Sequence, residues 1–582
     1  MHRLSMAARR KGAAALTWQW TASRMSWPDD AIRRDGQATS WSSSVSTFAG
    51  LAIVVLALQA WMGAFRVERG MYSDEAAHFM NGLLIRDYIY QAIGSNPVAF
   101  AEQYYLSYPK IAPLMWPPLF HAALGLSLLP GWPPAPVALL LVGLSATWVA
   151  WRLYCVVETF ANQVVGFVAV ALFLTTPLVM QISSVVMLDI VIAALAFEAT
   201  YWLARFVRSA SSRDAALYGV FTALACLTKG NGVSLVLLPV ILIPITGRFN
   251  LLRRPGLYIA AAIVLVFGAP LLAVSAQFDA SIGDFGPVTI ADVINRFAFY
   301  GRELGRDIGP VSLGLAMIAL AVVTARGRRR RDDTVPLTEA MAALVVAAIL
   351  FHVLSPHRLS VDRYMTMAIA PIIALAIVGA FALAQSIRVD ARRPGVASAI
   401  AIIVAIAALA GRATLHPREP LGYRQIVARL AASDLLAGRR MLVVSDEAGE
   451  GAAVTEVAAL NLHPAPTVIR GSKLLAQDDW MGRHFQMSYA SPTALMQDLE
   501  DLHVEYVLVD RSTYSPQVPY FGQVRQLTDA EHHRLKRVDI AAQQLSGPTR
   551  RLELYRVKVK SPGPPKTLQV GLTHTLGRTL RR

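Results

Sequence analysis

The sequence predicts a polytopic α-helical membrane protein with about eleven transmembrane helices and additional interfacial helices, followed by a small soluble α/β domain. Three observations carry this. The 582 residues are 54% hydrophobic and only 16% charged, whereas an ordinary soluble domain is about one quarter charged. Apolar runs recur along the first 411 residues, most of them close to the length needed to cross roughly 30 Å of hydrocarbon. From residue 412 the composition turns charged and mixed, with short β-branched runs between helical stretches, the pattern of a small α/β unit.

Taken in order, residues 1–47 are basic and polar, with Arg9, Arg10, Lys11, Arg24, Arg33 and Arg34. The first apolar run, 48–65, begins too late for a signal peptide and lacks a small-residue cleavage site after it. The prediction is a cytoplasmic tail and a retained first helix. The first outer loop, 66–134, ends in an apolar piece at 119–129 that is too short to span and is bounded by prolines on both sides. It reads as a helix lying along the membrane surface, with Trp116 and Trp132 as anchors.

Ten further runs follow at 135–157, 164–181, 185–207, 215–228, 233–245, 256–276, 311–324, 340–354, 365–384 and 397–410. The connections at 205–213, 248–254, 326–331 and 388–393 are rich in arginine. If 119–129 does not span, all four fall on the same side as the N-terminus. The positive-inside rule then selects eleven spans, a cytoplasmic N-terminus and an extracytoplasmic C-terminal region. The same arginines account for the net charge of +16 without a nucleic-acid partner. Cys155 and Cys226 fall near opposite faces in this topology and predict no disulfide.

This parity gathers polar residues at the outer face: Asp74, Glu75, His78, Lys110 and His121, then Asp189, Lys229, His357, Arg358, Asp362 and Arg363. Paired acids just past a membrane helix can hold a metal ion, bind a polar head group or act as a base. They can also simply support the N-terminus of a short helix starting near Ala76. Carboxylates faced by Lys, His and Arg suit an anionic lipid head group, since these cations bind phosphate as point charges or forks. Glu198 falls in mid-span and predicts a partner inside the helix bundle.

The motifs YSDEAAH (72–78), WPPLFH (116–121), TPLVMQISSVVMLD (176–189), LTKGNG (227–232) and DRYMTMAIAP (362–371) together resemble the GT-C glycosyltransferases of the protein O-mannosyltransferase and aminoarabinose-transferase type. The resemblance covers residues 48–411. It implies a sugar donor on a polyprenyl phosphate, a lipid, glycan or protein acceptor, and an active site on the outer face of a bacterial cytoplasmic membrane. Asp74 is then the general base for in-line, inverting attack by an acceptor hydroxyl. Glu75 and Asp189 orient substrates or ligate a divalent ion such as Mg or Mn. Lys110, His357, Arg358 and Arg363 are the candidates to neutralise the departing lipid phosphate, with His78, His121 and Lys229 as further candidate site residues. The aminoarabinose transferases carry a Glu-Lys pair where this chain has Met115 and Trp116. A polymerase or ligase using a pyrophosphate carrier stays open as an alternative, as does a transporter or scaffold of polysaccharide assembly.

Beyond the membrane part, 412–560 predicts strands at 441–445, 467–469, 505–510 and 551–556, with helices at 424–436, 450–459 and 492–502. The stretch DEAGEGAA (446–453) opens a helix after a strand but lacks the lysine of a phosphate loop. Residues 561–582, rich in Pro, Lys and Arg, read as a disordered tail.

Overall fold

A computed structural model describes residues 41–582 apart from 114, 283–284, 328–336, 358, 392, 413, 478–484, 513–517, 532, 539–549, 559 and 573–577. Most of the expected N-terminal tail, and the Arg358 named above, lie outside the described residues.

Each of the eleven apolar runs is helical. Helix α1 (Trp41–Trp61) starts before residue 48, so part of the expected tail belongs to the first span. Helices α2 (Ser73–Gln91), α3 (Pro97–Ser107) and α4 (Leu119–Ser127) fill the first loop. Helix α4 is too short to cross a membrane. Trp132 is exposed, as an anchor requires, but Trp116 is turned inward, 4.3 Å from the His78 ring. Then come α5 (Pro134–Phe160), α6 (Gln163–Leu174), α7 (Pro177–Ser183), α8 (Asp189–Ser209), α9 (Ser212–Cys226) and α10 (Leu237–Thr246). Helices α11 (Pro255–Ile263) and α12 (Ala269–Ile282) are joined through a π turn. The set closes with α13 (Ile290–Ile308), α14 (Pro310–Gly327), α15 (Leu337–Leu354), α16 (Thr366–Ser386) and α17 (Pro394–Ala410).

Among the described residues, six helices are long and apolar enough to cross a membrane, and up to eight segments if each bent pair counts as one. The bends are 70° between α6 and α7 and 116° between α13 and α14. The proline that opens α7 and the proline that opens α14 sit at these breaks, where a missing N–H and a fixed φ start a new helix. The other expected runs form shorter helices. The protein is a multi-pass membrane protein. Helix α16 is its central rod, buried along nearly its whole length.

Glu198 finds its partner in Arg152 of α5: Arg152 Nη2 donates to Glu198 Oε2 at 2.9 Å, its Nε to Oε1, and Trp148 Nε1 to Oε1 at 2.8 Å. Aromatic rings of Trp151 and Tyr201 flank the guanidinium at 4.9 and 4.6 Å. Cys155 and Cys226 are both free thiols.

The C-terminal domain is a five-stranded sheet of order β2-β1-β5-β7-β6. Strands β1 (Arg440–Val444), β2 (Thr467–Arg470) and β5 (Val504–Asp510) are parallel, and β7 (Leu552–Val557) and β6 (Leu535–Arg537) complete it antiparallel. The buried β-branched and aliphatic residues of β1 and β5 made these strands predictable. Two short strands, β3 (Ala476–Gln477) and β4 (Gln486–Met487), pair separately. The expectation of a disordered 561–582 fails. Strands β8 (Gln569–Leu572) and β9 (Arg578–Arg581) form an antiparallel hairpin, because Leu568, Val570 and Leu580 bury against the domain.

Helix α19 (Glu447–Ala459) docks the domain on α2, and α18 (Tyr423–Ala432) packs beside it. At Gly451 an added Cβ would lie 2.8 Å from Ala76 Cβ and 3.1 Å from Lys110 Cε, so only glycine allows this approach. In the DEAGEGAA stretch, Asp446 accepts from Gly449 N at 2.7 Å and pairs with Arg550, and buried Glu450 pairs with Arg470 at 2.8 Å. These are structural contacts of a helix N-terminus and not a phosphate loop.

Candidate active site

The site is built where four chain segments meet at the membrane end carrying the α/β domain. Asp74 stands in the first turn of α2. Asp189 opens α8. Lys229 lies in the break between α9 and a short 3-10 turn at Gly230–Val236. Arg363 lies in the 3-10 turn Asp362–Met365 that leads into α16. Their side chains form one chain of charge. Arg363 Nη2 donates to Asp74 Oδ2 at 2.7 Å, Arg363 Nη1 lies 3.9 Å from Asp189 Oδ2, and Lys229 Nζ donates to Asp189 Oδ1 at 2.6 Å. Asp189 Oδ2 is buried and makes no hydrogen bond.

Aromatic rings wall the cluster. The guanidinium of Arg363 sits 5.1 Å from the Tyr72 ring, and Lys229 Nζ 5.2 Å from the Tyr364 ring. His352 stacks on Tyr364 at 5.1 Å. Gln181 donates to the Tyr72 hydroxyl at 2.7 Å. Leu119 N donates to Leu227 O at 2.9 Å, which ties the surface helix α4 to the turn that presents Lys229.

His78 and His121 meet beside this cluster, with Nδ1 of the first 3.1 Å from Nε2 of the second. Gly82 and Gly125 lie one turn further along α2 and α4. A Cβ on Gly82 would fall 2.5 Å from Leu124, so these glycines let the helices cross closely enough for the rings to touch. Burial pushes both imidazoles down, His121 to about 4, and the positive charges of Lys229 and Arg363 add to the effect on His78. Both are therefore neutral at pH 7. Lys110 is buried between Ala76 and Gly451, within electrostatic reach of Asp74. Burial, then Arg470, pulls its pKa down to about 8.

The predicted residues divide. Asp74, Asp189, Lys229 and Arg363 converge, with Lys110, His78 and His121 at the edge. Glu75 does not join them. It is fully buried, and its oxygens accept from Met71 N at 3.0 Å, Val186 N at 3.2 Å and Arg418 Nη2 at 3.4 Å. His357 packs edge-on against Phe285 at 5.1 Å and accepts from Leu359 N at its Nδ1. A divalent ion held by Glu75 and Asp189 does not fit these residues: Glu75 is spent on backbone and Arg418, and Asp189 faces two cations. Among the described residues no three His, Cys, Asp or Glu gather as a metal site.

The sequence reading missed Tyr72, His352, Glu68 and Arg418. Tyr72 could have been found, since it stands two residues before Asp74. The others sit in an apolar run, in a loop, and in a linker hundreds of residues from its partner, and carry no local signal.

Residues 117–273, which include Asp189 and Lys229, match the model of the dolichyl-phosphate-mannose-protein mannosyltransferase family. No curated protein sequence matches the chain. Among solved structures the fold is similar to ArnT from Cupriavidus metallidurans in the apo state, at 13% identity over 90% of this chain and 100% of that one, with a TM-score of 0.53. It is similar to the same protein bound to undecaprenyl phosphate at 13% identity, the same coverage and a TM-score of 0.50. The architecture is the GT-C fold. Within that fold, residues 117–273 are the segment similar to the dolichyl-phosphate-mannose-protein mannosyltransferases.

Proposed function

We propose that this chain moves a sugar from a polyprenyl-phosphate donor to an acceptor hydroxyl, with inversion at the anomeric carbon and Asp74 as general base. One observation carries the reading: Asp74 and Asp189, brought from separate segments, are bridged by Arg363 in an aromatic-walled cluster that also holds Lys229. The match of 117–273 to a family acting from a dolichyl phosphate sugar and the likeness to a fold that holds undecaprenyl phosphate in ArnT favour a lipid phosphate as leaving group.

In this mechanism the acceptor hydroxyl gives its proton to Asp74 as its oxygen attacks the anomeric carbon. The bond from that carbon to the phosphate oxygen breaks, and its electron pair leaves with the phosphate. Arg363, Lys229 and Lys110 receive the developing charge, where fixed cations give much of the rate. Neutral His78 and His121 shape the wall beside Asp74 without adding charge.

The length of α8 supports one membrane orientation. Its 21 residues carry the chain roughly 30 Å from Asp189 to the arginines at 205–213. An arginine-rich end is favoured in the cytoplasm, which supports an extracytoplasmic Asp74 and α/β domain, away from nucleotide sugars.

The test is single-turnover transfer by purified protein given a polyprenyl-phosphate sugar. Asp74→Asn keeps size and shape, and loss of a general base costs about two to four decades in rate. If Asp74→Asn transfers at close to the wild-type rate, Asp74 is not the base. Turnover of a nucleotide sugar in place of the lipid donor removes the donor assignment.

A further inference from the structure

We infer that Arg418, in the linker between the last membrane helix and the α/β domain, is a positioning residue. Acting through Glu75, it sets the distance between Asp74 and Asp189. The inference rests on the transfer reading above and adds to it a role for the soluble domain.

The acids themselves come from segments with no covalent reason to stay in register. Asp74 follows the turn at 70–73, and Asp189 follows the loop between α7 and α8. Glu75 joins both. Its Oε2 accepts from Met71 N at 3.0 Å on one side, and its Oε1 accepts from Val186 N at 3.2 Å on the other. Arg418 makes the same pair of connections from the opposite side. Its Nη1 donates to Ser184 O at 3.0 Å, and its Nη2 donates to Glu68 O at 3.2 Å and to Glu75 Oε2 at 3.4 Å. One buried ion pair therefore clamps residues 68–75 to residues 184–186, three positions before Asp189. Arg418 N also donates to Met62 O at 2.9 Å, so the linker backbone is fixed to the end of the first helix.

A second carboxylate locks the linker behind Arg418. Glu68 is buried and accepts from the backbone N–H groups of Leu421, Gly422 and Arg424 at 2.8, 3.0 and 2.9 Å. An anion at a helix N-terminus meets the positive end of its dipole, and here it fastens α18 of the soluble domain to the loop before Asp74. The linker that carries Arg418 is thus held at both ends.

Catalytic rate is sensitive to such registration, because a displacement of about 1 Å can cost about 100-fold. Arg418→Gln removes the charge and one arm of the fork, so kcat is expected to fall about 10- to 100-fold while polyprenyl-phosphate binding, held by Arg363, changes less than threefold. Arg418→Lys keeps a cation near Glu75 and restores part of kcat. Glu75→Gln lowers kcat in the same way, and Arg418→Gln with Glu75→Gln is no worse than the poorer single variant, because both break one clamp. Arg424→Gln is the control. It breaks the pair with Glu456 at 2.9 Å and the contact to Val67 O in the same interface without touching Glu75, so it lowers the melting temperature and leaves kcat per folded molecule unchanged.

The experiment measures kcat, KM for the donor and thermal unfolding on the same detergent preparations, each rate normalised to folded protein. A wild-type kcat in Arg418→Gln, or an equal fall of kcat in Arg424→Gln, overturns the inference while leaving the transfer reading intact. Additive losses in the double variant also overturn it. Failure of the wild-type protein to use any lipid-phosphate donor sinks the transfer reading instead. If Arg418→Gln does not fold, the partial kcat of Arg418→Lys carries the test, and an unchanged kcat there counts against the role.

Discussion

Replacing Arg363 by Gln tests the centre of the site. Arg363 sits between both acids, 2.7 Å from Asp74 and 3.9 Å from Asp189. A hydrogen bond to a charged group contributes about 1.5–3 kcal/mol, which corresponds to roughly 10- to 150-fold in a dissociation constant. The lower end applies here, because a phosphate that takes the guanidinium must first displace Asp74 from it. Arg363→Gln is therefore expected to weaken polyprenyl-phosphate binding about tenfold. The loss in kcat is expected to be larger, about 100- to 1,000-fold, since a donor aimed at developing charge matters most in the transition state. Arg363→Lys falls between, keeping the charge without the fork. Folding survives, because Asp189 keeps Lys229 at 2.6 Å and Asp74 is partly open to water. Binding can be followed by tryptophan fluorescence, since Trp116 lies against His78 at the edge of the site, and kcat by single-turnover transfer. Binding within twofold of wild type together with an unchanged kcat refutes the placement of the phosphate at Arg363.

Two further predictions concern other charges. Lys110 is charged below a pKa of about 8 and neutral above it, so kcat/KM for the donor, which reports the free enzyme, is expected to fall as pH rises from 7 to 9. Lys110→Arg, which stays charged, removes that fall, and a flat wild-type profile would take Lys110 out of the phosphate site. In the membrane, Arg152→Met leaves Glu198 without its cation and is expected to destabilise the protein by about 3–5 kcal/mol; Arg152→Met with Glu198→Leu recovers most of that loss in thermal unfolding, whereas equal losses in the two variants would show that the groups are not coupled.

The legible parts of this chain are those whose cause is local. An apolar run announces a helix whatever surrounds it, which is why every expected run is helical. The buried β-branched stretch at 504–510 likewise announces a strand. Asp74, Asp189, Lys229 and Arg363 were found because each interrupts or borders an apolar run, where a charge is costly unless it has a use. The failures are of another kind. Glu75 looked like a partner of Asp74 because it is adjacent in sequence. Consecutive residues on a helix with 3.6 residues per turn point about 100° apart, and that rotation sends Glu75 away from the cluster toward Val186 and Arg418. The partner of Glu198 lies 46 residues back, and that of Glu75 lies 343 residues ahead. The paired strands at 569–572 and 578–581 were hidden by Pro562, Pro564 and Pro565 just before them and by their own arginines, since composition registers the exposed residues and not the few that bury, such as Val570 and Leu580.

The charges in the cluster constrain how the site can work. Asp74 and Asp189 contribute two negative charges, and Arg363 and Lys229 two positive ones, so the four are balanced without substrate. A phosphate entering this set brings negative charge into a place with no cation to spare, except Lys110 at its edge. It can bind only by taking Arg363 away from Asp74, at least in part. In the proposed mechanism the same movement frees the carboxylate that accepts the acceptor's proton. Donor binding and activation of the base are then one event, and Asp74 is held by its arginine when no leaving group is present to be expelled. Asp189 is placed differently, because Lys229 holds it from the other side. This asymmetry, and not the order of the two acids along the chain, is the physical reason to place the base at Asp74 and to regard Asp189 as the anchor for the cations.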